Sequence, residues 1–305
     1  HSNSSTPSFY SLSHETAKIG ADNPDNIYLN ANIDGMQEYK VFGNIGELNY
    51  LSFGLKENRY SIDGTMISLG EIDMKDMYVE DSGDFVLYLG GTKESKNFLA
   101  MPKNTNMLIV RQTYKDRMNQ THAKINIKTI SAKAYPELLN SDQLENQLNQ
   151  SLAFVRGTAS TFLIWVKDFK KNHRNCLPLG DQSFFQAAGG DPKICYLHGY
   201  YDFNKDECMQ ISTDIPDCEY WNFQLENFWM ESLDYRHYPI HINDSSAIVK
   251  KDKSITSTVS HFPINIENNL ITEGRNNGAM LLRWIDAKNN PIPEVKIKKI
   301  DSIEM

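Results

Sequence analysis

CEYWNFQLENFWMESLDYRHYPIHIN, residues 218–243, holds two tryptophans, three tyrosines, two histidines, an arginine and several amides in one run. Read with a period of two, Trp221, Phe223 and Leu225 share one face, and Tyr220, Asn222, Gln224 and Glu226 share the other. The first set is a core wall. The second is a row of hydrogen-bonding side chains on a central strand. Carried on into RHYPIHIN as a further strand, the same alternation sends Arg236 and Tyr238 one way and His237 and His241 the other.

Outward from this stretch the β signature continues in both directions. Between Asn26 and Ile130, segments such as YLNANI, EYKVFG, LNYLSFGL, DFVLYLG and NMLIVRQTY are separated by turn residues in NIDG, GNIG, SIDG and DSGD. Strands spaced by roughly eight to twelve residues predict an antiparallel sandwich or barrel and not a βαβ fold. No dinucleotide or phosphate-loop glycine pattern follows any of them. After Asp191, KICYLHGYYDF and ECMQIST flank the turn NKD and predict a hairpin, and EYWNFQLENFW, SAIVKK, SITSTVSH and GAMLLRWID read as further strands.

Between the two β regions the period changes. Leu144, Leu148, Leu152, Val155, Ala159, Phe162, Val166 and Phe169 are spaced by three or four residues, so Ser141–Lys171 reads as a helix with one apolar stripe. Asn140 or Ser141 caps its start. DQSFFQAAGG predicts a short second helix, with Asp181 as cap and Gly189 as stop. The chain divides into a β-rich half (1–130), a helical connector (131–192) and a second β-rich half (193–305), with one continuous domain as the alternative. No repeat of fixed period is visible. The expected fold is mainly β: jelly-roll-like antiparallel sandwich architecture with one long and one short helix inserted.

The 305 residues carry a formal net charge of −8, which opposes the basic footprint of a nucleic-acid binder. KDFKKNHR and VKIKK read as solvated faces. No stretch reaches the ~18 apolar residues of a membrane span, and the opening HSNSSTPSFY lacks the apolar core of a signal peptide. Cys176, Cys195, Cys208 and Cys218 fit no zinc spacing. Two disulfides in an exported chain and four thiols in a cytoplasmic one both suit them, the cytoplasm being slightly favoured.

Several segments together resemble the domain of unknown function 1214 family, often found with a domain of unknown function 1254. GADNPDNIYLNANIDGMQEYKVFGNIGELNYLSFGL resembles its opening strands, with an N-P-D-x-x-Y element, and FVRGTASTFLIWVKDF resembles its long helix. CEYWNFQLENFWMESLDYRHYPIHIN resembles its central block, and EGRNNGAMLLRWI its Arg-Trp ending. The resemblance covers roughly residues 8–286. It departs at FPINIENNLIT, where family members often carry a D-P-G-x-P-N-W-L-D-T run, and in lacking a helical segment ahead of the N-P-D element. The resemblance implies β-sandwiches of jelly-roll type that are often oligomeric, so a homo-oligomer is expected here. It implies no agreed activity and no catalytic residue.

The polar row supports two readings. In one, Tyr220, Asn222, Gln224, Glu226 and Arg236 line a pocket for a small polar or anionic ligand. In the other, the amides form a structural network and Asp234–Arg236 pins a turn. His237 and His241, with His198 or His261 and Glu226, would approach a cupin-like metal site, but the H-x-H pair is missing, so no metal and no cofactor are called for. NPDN reads as an Asx-turn, with a ligand role only if Asp25 and Tyr28 face the same cavity as Arg236. Arg283 is expected to be buried and paired with Asp234 or Glu226. No nucleophile sits in an activated context. The leading function is therefore a ligand-binding or structural sandwich. The alternative is an enzyme for a small polar or lipid-like substrate, using Arg236, His237, His241 and Glu226.

Overall fold

The computed structural model describes residues 3–91, 95–130 and 140–303. The chain is mainly β and forms two compact units. Unit 1 comprises His1–Ala17, Asp25–Thr158 and Gln186–Asp191; unit 2 comprises Lys18–Pro24, Ala159–Phe185 and Pro192–Met305.

Unit 1 carries β1 (Asn26–Asn32), β2 (Tyr39–Asn44), β3 (Tyr50–Arg59), β4 (Thr65–Asp73), β5 (Asp84–Leu89), β6 (Phe98–Leu99), β7 (Met107–Thr113) and β8 (Lys124–Thr129). Its sheets run β1-β7-β3-β4 and β6-β5-β2-β8. Leu51, Phe53 and Leu55 from the first sheet meet Tyr39, Val41, Phe85 and Leu87 from the second in one apolar core. The rings of Phe53 and Phe85 lie 5.7 Å apart. Each such buried side chain stabilises by about 1.5–3 kcal/mol.

Unit 2 carries β9 (Ile194–Asp202), β10 (Glu207–Asp214), β11 (Tyr220–Leu225), β12 (His241–Asn243), β13 (Ser254–Ser260), β14 (Asn269–Ile271), β15 (Asn277–Ile285) and β16 (Glu294–Lys299). Its sheets run β12-β11-β15-β9 and β14-β13-β10-β16. Trp221, Phe223 and Leu225 face the core with Met280, Leu282 and Trp284, as the alternation requires.

These strand orders are the same list shifted by eight. The agreement extends to direction, since β5–β6 and β13–β14 are the parallel pairs while the other ladders are antiparallel. It also extends to register. Arg111 on β7 lies opposite Tyr28 on β1 and Ser52 on β3, and Arg283 on β15 lies opposite Tyr196 on β9 and Asn222 on β11. NYLSFGLKE and EYWNFQLEN therefore occupy equivalent strands, as do NPDNIYLN and DPKICYLH. The chain is built as an internal structural repeat, which a search for a fixed period in the sequence does not reveal. The offset between equivalents changes from strand to strand, so no fixed period survives.

Two other expectations fail. β9 and β10 are not a hairpin: β9 pairs with β15, and β10 with β13 and β16. The link between them changes sheet, because Leu197 and Met209 must enter one core from its two sides. RHYPIHIN is strand only at His241–Asn243. Residues 235–237 form a turn, and Pro239, with no N–H to donate, stands outside the ladder.

α1 (Ser141–Asn172) and α2 (Gln182–Gln186) follow the sequence reading. The Asn140 Oδ1 accepts from the Gln143 N–H at 2.9 Å and the Gln143 Oε1 accepts from the Asn140 N–H at 2.9 Å, a reciprocal cap. The Asp181 Oδ1 accepts from the Ser183 N–H at 2.9 Å.

The leaders of the two repeats are exchanged. Lys18–Pro24, just ahead of β1, belongs to unit 2, whereas Gln186–Asp191, ahead of β9, belongs to unit 1. All four tryptophans (165, 221, 229 and 284) lie in unit 2. Deleting residues 1–24 should therefore lower the urea midpoint seen by tryptophan fluorescence, through a loss of several kcal/mol in unfolding free energy, since buried groups that lose partners cost about 1–3 kcal/mol each. An unchanged midpoint would refute the assignment of this leader to unit 2.

Candidate functional site

The sheet face opposite each core carries the polar side chains, and in each unit an exchanged leader lies on it as a strap. In unit 2 the Arg283 guanidinium is the centre. Its Nη1 donates to Asn222 Oδ1 at 3.2 Å and Gln224 Oε1 at 2.5 Å, and its Nη2 donates to the Ala21 carbonyl. Gln224 Nε2 donates to the Asp22 carbonyl and to Glu226 Oε1, both at 2.9 Å, and Asn222 Nδ2 donates to Asn23 Oδ1 at 3.1 Å. Asp22 accepts from the Ser232 N–H at 2.9 Å and its hydroxyl at 2.8 Å. Lys18 Nζ donates to the carbonyls of Ser232 and Leu233 at 2.6 and 2.8 Å. Gly20 packs against Phe162 of α1. The row Tyr220, Asn222, Gln224, Glu226 thus faces the chain's own N-terminal segment.

Unit 1 repeats the clamp. Arg111 Nη2 donates to the Gly189 carbonyl at 2.7 Å, and Tyr60 and Met66 bond the carbonyls of Ala188 and Ala187 at 2.7 and 2.8 Å. Ala21 and Gly189, which present the accepted carbonyls, both have left-handed backbone, at φ 59° and 97°. Glycine takes this freely, whereas alanine does so at a cost of about 1–2 kcal/mol. The guanidinium–carbonyl bond offsets that strain.

Side chains that differ between the two faces give each its chemistry. Lys56 occupies the Glu226 position, Gly54 that of Gln224, and Glu71 that of His241. Unit 1 consequently holds a charged network: the fully buried Lys56 ammonium bonds Glu71 and Ser68, and Arg111 lies 3.5 Å from Asp191. Burial pushes the Lys56 ammonium down from its usual range, reinforced by Arg111. Burial raises the Tyr50 phenol, whose oxygen has no hydrogen-bond partner. Sequence reasoning missed this network because Lys56 reads as a solvated strand residue; the signal was its place in LSFGLKE, the duplicate of WNFQLEN.

In unit 2, Glu226 is fully buried and its Oε2 has no hydrogen-bond partner. Burial pushes its carboxyl up to about 8, against the lowering influence of Arg283. Burial also raises Asp22, against the two bonds from Ser232. Contrary to expectation, Arg283 bonds two amides and a carbonyl, with neither Asp234 nor Glu226 as hydrogen-bond partner.

The remaining residues singled out from sequence fall elsewhere. Arg236 is exposed and forks onto Asp234 at 2.8 and 2.9 Å, holding that carboxyl down at about 2. His237 is exposed on the same turn, and His241 stands beside Gln224 on β12. Asp25 and Tyr28 belong to unit 1: the Asp25 carbonyl accepts from the Tyr114 N–H at 2.9 Å, and the Tyr28 hydroxyl from Asn26 Nδ2 at 3.3 Å. His261 is satisfied by Thr272 at 2.8 Å and the Phe203 carbonyl at 3.1 Å. His198 is enclosed by Trp165, Phe169, Phe185 and Tyr196, and burial holds it well below the usual range. Among the described residues, no three His, Cys, Asp or Glu side chains gather to hold a metal, and none of the four cysteines is in a disulfide. No helix there is long and apolar enough to cross a membrane.

No family profile and no curated protein matches the chain. Among solved structures, an uncharacterised protein from Burkholderia cenocepacia is 39% identical, covers 98% of this chain and 83% of its own, and superposes with a TM-score of 0.95. This chain belongs to that protein's family. The VPA0106 protein from Vibrio parahaemolyticus covers 96% of this chain and 91% of its own at 12% identity and a TM-score of 0.55, a likeness of fold alone. The Burkholderia relative is uncharacterised, so it assigns no chemistry to either face.

The Glu226 carboxyl gives a pH signature. The folded state keeps a proton that the unfolded chain releases near 4.5, so its contribution to stability is complete below that pH and lost as pH rises to about 8. The difference is worth on the order of 5 kcal/mol at most. Urea unfolding at pH 5 and pH 8.5 should show this loss in the native protein and a flatter profile in Glu226→Gln. An equal slope in both proteins would remove Glu226 from the account.

Proposed function

We propose that this chain is a structural or binding double sandwich, self-associating and without catalysis on the polar row of residues 220–226. One observation carries this reading: the row is covered by the strap Lys18–Asn23, whose atoms satisfy Asn222, Gln224 and Arg283. A catalytic wall needs reach to a reacting atom. Here the donors end on strap carbonyls, on the Asn23 amide and on one another. Ser232, the hydroxyl nearest a carboxylate in this network, donates to Asp22, which also holds the Ser232 N–H, a clamp without the imidazole that activates a serine.

We place the chain in the domain of unknown function 1214 group on the segments NPDNIY, YWNFQLENFW and MLLRW. In this reading, binding belongs to surfaces other than the strapped faces.

Native mass spectrometry of the purified chain tests the proposal. The expected mass carries no stoichiometric small molecule. A co-purified compound or metal that is lost in Glu226→Gln or Asn222→Ala, with folding intact, would instead establish a ligand site on this face and revive the enzyme reading.

A further inference from the structure

The first three turns of α1 stand clear of the other described residues. Every residue from Ser141 to Leu152 is exposed, whereas further along Phe162, Val166 and Phe169 are buried. The apolar stripe does not follow this change. Leu144, Leu148, Leu152 and Val155 continue it at the same spacing while being 50%, 58%, 70% and 65% exposed. A helix of this length is marginal alone in water, and its stability comes from burying such a stripe.

We propose that the stripe Leu144–Leu148–Leu152–Val155 is the docking surface for a second copy of this chain, with the two α1 helices antiparallel. This rests on the self-association in the reading above and not on its non-catalytic part.

The charges select the occupant. From Asn146 to Val155 the helix carries no charged side chain, only amides and small or apolar groups, so two copies of a chain with net charge −8 can approach along this segment without repulsion. Glu145 lies just before the neutral stretch and Arg156 just after it, both exposed, and at 100° per residue both flank the stripe on the same side. Antiparallel pairing centred between Leu148 and Leu152 sets Leu144 against the other copy's Val155 and each Glu145 beside the other copy's Arg156. Opposed helix dipoles favour the same arrangement. Parallel pairing forfeits both ion pairs. Exposed pairs of this kind contribute little energy, so here they set orientation. Four large apolar side chains per copy with their amide flanks bring on the order of 1,000 Å² into contact, the low end for a specific interface, so the dimer is a dissociating one.

The test is light scattering coupled to size exclusion on the full chain across a concentration series. The native protein should run at twice 34.9 kDa at high concentration and dissociate on dilution. Leu148→Asp/Leu152→Asp should run at the single-chain mass at every concentration, with unchanged tryptophan fluorescence because both sites are exposed and no tryptophan lies in residues 141–155. Glu145→Arg should weaken the dimer about tenfold, and Glu145→Arg/Arg156→Glu should restore it. A native protein that stays at 34.9 kDa throughout would overturn the proposal. So would a folded Leu148→Asp/Leu152→Asp that remains dimeric, although self-association through another surface would then stand.

Discussion

A guanidinium holding a backbone carbonyl is the constraint on which both units depend. Arg283 reaches Ala21 and Arg111 reaches Gly189, from equivalent strand positions to equivalent strap positions. Around each arginine the neighbouring side chains differ, Asn222 against Ser52 and Gln224 against Gly54, yet the bond to the strap recurs. What recurs through such divergence is the structural requirement. A buried arginine must find acceptors, and a strap with left-handed backbone must be held against relaxing. Each meets the other's need.

The duplicated faces show how one scaffold tolerates opposite electrostatics. Unit 1 solves the burial problem with paired charges, Lys56 with Glu71 and Arg111 with Asp191. Unit 2 uses amides and a carboxyl kept protonated by burial. Ion pairs of the first kind rarely add stability over a well-packed alternative, but removing one partner leaves a buried charge and is severe. Unit 1 is therefore the less tolerant of single substitutions at its polar face.

Much of the fold was legible in the sequence. Alternation in EYWNFQLE separated core from polar row correctly, and the three-four spacing located α1 with its cap. What escaped was long-range. That Asn222 and Gln224 meet Asn23 and Asp22 depends on contacts about two hundred residues apart, which no local period reports. The false hairpin at NKD came from the same cause: turn chemistry says that the chain reverses, not that the two strands share a sheet. The duplication left only Tyr50/Tyr220, Phe53/Phe223, Leu55/Leu225 and Arg111/Arg283 as readable identities along its central strands.

The exchanged straps impose an order on biosynthesis. Strands β1–β8 leave the ribosome well before Gln186–Asp191, so unit 1 has its sheets but not its closure until both helices have been made. The other strap, Lys18–Pro24, precedes β1 and has no receptor until β15 emerges. Domains usually fold as units, the N-terminal one first. In this chain unit 1 closes only after α2, before any strand of unit 2 is made, and unit 2 closes on a strap made ahead of all its own strands.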